Sequence, residues 1–121
     1  QGDEAMLQLA YSQFAKALDA QPRNVDALRG VAELGADAGS PERALEAWRT
    51  LLAGLRAGSE QWFEARTEHL EVLAIVDRER ASAVLRQHAV LYPQLGPEPY
   101  RTRLRELAGE LGVTLSPEAD E

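Results

Sequence analysis

His69 and His88 are the only imidazoles in the 121-residue chain. A histidine earns a chemical reading from its neighbours in sequence, because zinc or general-base work needs a second ligand or a carboxylate at helical spacing. "EHLE" around His69 lacks the second histidine of an H-E-x-x-H pair, and "LRQHAV" around His88 has no carboxylate beside it. Both are therefore read as packing or surface residues. None of the five serines stands in a G-x-S-x-G elbow, and no glycine-rich phosphate loop occurs. Cysteine is absent, which excludes disulfides, thiolate catalysis and cysteine-based zinc sites. The carboxylates are numerous but spread out. "RER" at 78–80 and "RTRLR" at 101–105 are short basic runs that neighbouring glutamates or water can satisfy. The residues point to no catalytic group, no metal site and no cofactor.

Charge narrows the partners. Twenty acidic residues stand against 13 basic ones, a formal net charge of -7. Such a chain repels phosphate backbones, so nucleic acid is excluded as the expected partner and a basic peptide or protein surface is favoured. The longest apolar run, "VLAIV", is far shorter than the roughly 18 residues a membrane span requires, which excludes membrane insertion. Composition (45% hydrophobic, 27% charged) is that of a soluble globular domain. The chain opens on Gln1, as expected for a processed protein or a piece of a longer one.

Glycine and proline divide the sequence into segments with helical periodicity, predicting helices at about 4–20, 25–38, 41–54, 60–76, 78–91 and 98–111. In the last, Tyr100, Leu104, Leu107, Ala108 and Leu111 share one face, and Gly112 follows as a stop. Ser40-Pro41 and Asp77 are the predicted N-terminal caps of the third and fifth helices. No segment alternates with period two. The predicted fold is all-α.

Three of these segments share a frame. Ala10, Phe14 and Pro22 recur as Ala44 and Trp48 without the proline, and again as Ala81, Leu85 and Pro93; the copies are 34 and 37 residues apart. A 34-residue helix–turn–helix unit with A-x₃-F…P in its second helix resembles the tetratricopeptide repeat. The central copy carries the resemblance best: Leu28, Val31 and Ala32 stand at the family's Trp, Leu and Gly positions, Gly39 at the turn, Ala44 at the small helix–helix contact and Trp48 at the large knob. Ala32 and Ala44 would let the paired helices approach closely. Gly35 stands where the family has a Tyr, which removes that contact, and Arg56 replaces the closing proline. The third copy is looser: "AGLRAGSE" lengthens its entry loop and "VDRERA" lacks the turn glycine, although "AVLYP" restores the ending. "WFEAR", "LYPQLG" and an Arg-rich last helix resemble the closing module of bacterial tetratricopeptide proteins, and 12 Arg to one Lys suits a GC-rich genome.

The resemblance implies a right-handed α-solenoid of about six helices in a single domain, residues 1–112. It would comprise the second helix of a truncated repeat (4–22), a central repeat (25–56), a divergent repeat (59–93) and a C-terminal capping helix (97–112) whose Arg101, Arg103, Arg105 and Glu110 face water. An acidic tail, 113–121, follows. It also implies a non-catalytic scaffold whose first helices line a concave peptide groove. The family's groove positions fall on Asp26, Arg29, Glu33, Ala36 and Asp37, and on Glu64, Thr67, Glu71, Ala74 and Ile75; this predicts an acidic trough for a basic peptide or partner helix. The carboxylate clamp for acidic chaperone tails needs Lys and Asn where this chain has Arg29 and Glu33, so that ligand is not expected. The alternative is self-assembly. The first helix lacks its repeat partner, and Met6, Leu9, Ala10 and Phe14, with Leu7 and Tyr11 beside them, would form an apolar face open to a second copy as a homodimer of this fragment.

Overall fold

The computed structural model describes residues 2–115. Among these residues it is all-helical: α1 (Gly2–Ala20), α2 (Val25–Leu34), α3 (Pro41–Ala53), α4 (Glu60–Val76), α5 (Arg78–Leu91) and α6 (Tyr100–Leu111). Six helices fall where periodicity placed them, and the chain divides into two compact units at Gly54/Leu55.

Helix starts are fixed by side chains that take up orphan N–H groups. Asn24 accepts from the Ala27 amide at 3.1 Å, Ser59 from Trp62 at 3.2 Å and Asp77 from Arg80 at 3.1 Å. Ser40 departs from expectation: its hydroxyl makes no cap bond, and α3 starts from Pro41 at the first turn instead. α2 ends at Leu34, four residues before its predicted end, because the chain passes at Gly35 into turns that close on Gly39, with φ of 89°. Asp37 consequently stands in this turn and not on α2. At the end of α6, Gly112 adopts φ of 72° and Val113 N–H returns to the Ala108 carbonyl at 2.8 Å, closing the helix as a left-handed glycine stop does.

In the first unit α1 and α3 both pack on α2. The approach depends on missing atoms. Gly30 of α2 lies under the Phe14 ring, where a Cβ would stand 2.2 Å from ring carbon Cγ. Gly35 lies against α3, where a Cβ would stand 2.7 Å from the Ala44 Cβ and 2.6 Å from the Val31 carbonyl oxygen. Val31, Ala32, Ala44, Leu45, Ala47 and Trp48 are buried around these contacts. The missing side chain of Gly35 thus lets Ala44 in.

In the second unit each of α4, α5 and α6 packs on the other two. The core joins Leu70, Leu85, Leu95, Leu104, Leu107, Ala108 and Val113. Val113 is buried and Leu115 packs against the cluster, with Thr114 exposed between them, so two residues of the expected tail pack on this core. The remainder of that tail, 116–121, lies outside the described residues. α6 also differs from a helix with a water-facing arginine side. Arg101 Nε donates to the Gln94 and Gly96 carbonyls at 3.1 and 3.2 Å, and Arg103 turns onto α4.

Candidate functional site

The predicted peptide-binding residues divide between the two units and behave differently in each. On α2, Asp26 and Glu33 are exposed, and Asp37 is exposed in the turn that follows. Arg29 is half-buried, and its Nε donates to Glu33 Oε2 at 3.0 Å across one turn of helix. An exposed i, i+4 pair of this kind contributes a few tenths of a kcal/mol, about 0.3–0.5. Its larger effect here is to occupy the one cation among these residues, leaving the surface negative.

On α4 the expectation changes. Thr67 is fully buried and its hydroxyl donates to the Phe63 carbonyl at 2.7 Å, so it lines no open surface. This is the usual resting place of a threonine inside a helix, bonded to the carbonyl four residues back. Glu71 is half-buried and spoken for: Arg103 Nε donates to its Oε2 at 3.1 Å, a second bond joins Arg103 Nη2 to Glu71 Oε1, and the same nitrogen reaches Glu68 Oε1 at 2.5 Å. The hydrogen bonds that Arg103 donates to Glu71 and then to Glu68 hold the guanidinium pKa above its ordinary value, against desolvation. Glu64 is also half-buried. Glu68 and Glu71 are therefore part of how α6 is fastened, and the Arg103 charge offsets part of the acidity expected of this helix.

The self-association candidates separate as well. Met6 and Leu9 of α1 are 71% and 61% exposed. Ala10 is half-buried, and Phe14 turns inward to cover Gly30. Tyr11 and Ala15 are the buried residues of α1. The open apolar face is thus shorter than the spacing suggested, with Phe14 used inside the unit.

The histidines are structural. His88 is fully buried in a cluster of rings: stacked on Trp62 at 5.9 Å between centroids, edge-on to Phe63 at 6.0 Å, and tilted against Tyr92 at 5.2 Å. Its Nε2 lies 2.8 Å from the Leu95 carbonyl, so that nitrogen carries the proton and donates. Burial lowers the imidazole pKa; the Leu95 carbonyl opposes the shift, and the Arg66 charge adds to it. Arg66 stands over the Trp62 ring, 5.6 Å from its centroid. The bond to Leu95 holds a residue with φ of 70°, a left-handed conformation that costs a leucine about 1 kcal/mol or more. His69 is buried too, and no group of three or more His, Cys, Asp or Glu able to hold a metal occurs among the described residues. No described helix is long and apolar enough to cross a membrane.

No family model, curated protein or solved structure matches the chain. The functional reading rests on these side chains alone.

Sequence reasoning did not find the ring cluster or the Arg103 clasp. The cluster had a signal: Trp62 and Phe63 stand side by side on one segment, and His88 and Tyr92 share a helical face four residues apart on the next. The clasp had only a weak one, since any of several arginines in "RTRLR" could meet "EHLE".

Proposed function

We propose that the chain is a non-catalytic interaction module of tetratricopeptide-like helical repeats that takes a basic peptide or partner helix on the outward acidic surface of its first unit. The observation that carries this reading is the state of Asp26, Glu33 and Asp37. All three are exposed, while the nearby cation, Arg29, is already bonded to Glu33. A surface negative after its internal pairing attracts cationic partners and steers their approach. The finer architecture, a right-handed solenoid with α6 as its cap, is supported by the 34- and 37-residue frame and by Ala44 and Trp48, whose burial suits their repeat positions.

The test is a titration of the full chain with a fluorescein-labelled Lys/Arg-rich peptide, followed by anisotropy at low and high salt. Binding should weaken as salt rises, and Asp26→Lys with Glu33→Lys should weaken it further while circular dichroism stays unchanged. Equal binding by the double variant would refute this location. Glu71 is left alone, because reversing it would break the bond to Arg103.

A second reading is favoured by the exposure of Met6 and Leu9. Burying two such side chains contributes roughly 1.5–3 kcal/mol each, enough to support weak self-association of the chain through α1. Met6→Glu with Leu9→Glu should then abolish any concentration-dependent mass increase in sedimentation, and a monomer at all concentrations before substitution would remove this reading.

A further inference from the structure

The C-terminal end of α1, the chain that follows it, and α2 and α3 enclose a cleft of about 410 Å³ within the first unit. Its apolar lining comes from Leu18, Leu28 and Ala47, and its charged lining from Asp19, Arg43 and Glu46. Clefts of a few hundred Å³ suit a small ligand or an inserted side chain. The charges have a definite order. Arg43 Nη2 donates to Asp19 Oδ1 at 2.5 Å and reaches the Ala15 carbonyl at 3.5 Å, so the cation is committed to α1. Glu46 is exposed, and its carboxylate has no ion pair or hydrogen bond among the described residues. α1 has no basic residue in its last turn, so its negative end receives no cation from its own sequence. Two carboxylates and a helix C-terminus face one guanidinium. The cleft keeps an excess of negative potential over an apolar wall.

An occupant complementary to both features has an aliphatic stem and a cationic tip. We propose that this cleft receives a lysine side chain of a partner polypeptide, its methylenes against Leu18, Leu28 and Ala47 and its ammonium at the Glu46 and Asp19 carboxylates. The inference rests on the reading of the chain as a module for basic partners, but it uses none of the α2 carboxylates. A lysine suits the cleft better than a neutral apolar residue, which would leave Glu46 unanswered as it covers it.

The probe is n-butylammonium chloride, with n-butanol as the neutral analogue, titrated into the full chain at constant ionic strength while the Leu18, Leu28 and Ala47 methyl resonances are followed. Butylammonium should shift these methyls saturably and butanol should bind more weakly. Glu46→Gln should weaken butylammonium about two- to fivefold, the effect of one exposed charge pair, and leave butanol unchanged. Absence of methyl shifts, equal binding of both probes, or an unaltered Glu46→Gln affinity would overturn the proposal. Should that variant lose helicity, the unmodified chain decides: added sodium chloride must weaken butylammonium binding and spare butanol, and any other result overturns the assignment. Because no peptide is used, failure here is distinct from failure of the α2 surface, which the charge-reversal titration reads separately.

Discussion

The two units each use three consecutive helices, yet they rely on different contacts between them. In α1–α3 the closest approaches are set by atoms that are absent, Gly30 under Phe14 and Gly35 against Ala44, with one clasp of Arg43 on Asp19. In α4–α6 one such approach, Gly96 against Phe63, is joined by the Trp62–Phe63–His88–Tyr92 rings and the Arg103 clasp on Glu68 and Glu71. Both units leave large apolar side chains exposed, Met6 and Leu9 in the first and Ile75, Val90 and Leu91 in the second. They differ in charge: Arg103 takes up Glu68 and Glu71 together, whereas on α2 Arg29 meets Glu33 and Asp26 is exposed.

That contrast can be broken most severely in the first unit. Trp48 is 2% exposed, and Trp48→Ala should destabilise the chain by about 3–5 kcal/mol in urea unfolding followed by circular dichroism. A loss below 1 kcal/mol, a tolerance expected of a surface site, would remove Trp48 from the core. Next in size is the glycine contact. Gly35→Ala places a Cβ against a backbone carbonyl and Ala44, neither of which can swing away, and should cost about 1–3 kcal/mol. Gly109→Ala in α6 meets nothing within 4 Å and should instead stabilise by about 0.5–1 kcal/mol, the helix-propensity gain. If the two substitutions move the midpoint in the same direction, close approach does not govern Gly35.

The second unit offers two smaller tests. Arg103→Gln removes the clasp; with the guanidinium and both carboxylates about one-third exposed, the loss should be about 1 kcal/mol and should shrink in high salt. A salt-independent loss would point to packing by the arginine stem. The smallest effect at neutral pH is that of His88. Burial holds its folded pKa below the ordinary 6.5, so the neutral ring is favoured in the folded state. Protonation then favours unfolding: stability is intact above the unfolded value and declines as pH falls through about 6.5 toward the lowered folded value. His88→Gln should flatten that decline between pH 7 and 5. A profile unchanged by the substitution would assign the acid sensitivity to other groups.

The helices were legible in sequence because each rests on local signals: apolar spacing, Asp77 as a cap, Gly112 as a stop. Ala44 and Trp48 were legible as buried because the 34-residue frame singled them out. What stayed hidden was set by pairing across helices. Nothing near Thr67 tells an α4 surface position from a core one, and nothing near Phe14 announces a glycine sixteen residues later that would draw the ring inward. The close approach at Gly35 stayed hidden for a related reason. A family pattern marks which atoms are lost at a position, whereas the neighbour gained there is visible only in three dimensions. The candidate site was legible as a distribution of charge, and less so as a surface, since which carboxylates remain available depends on which arginines reach them.

Leu95 carries a consequence for what can stand at its position. Its backbone conformation is one a leucine does not adopt alone, while its side chain is fully buried and its carbonyl is held by His88. Glycine would relax the backbone and empty the core; another aliphatic residue would fill the core and keep the strain. The turn between α5 and α6 is therefore held by its surroundings, through the His88 bond from α5 and the core that takes the Leu95 side chain.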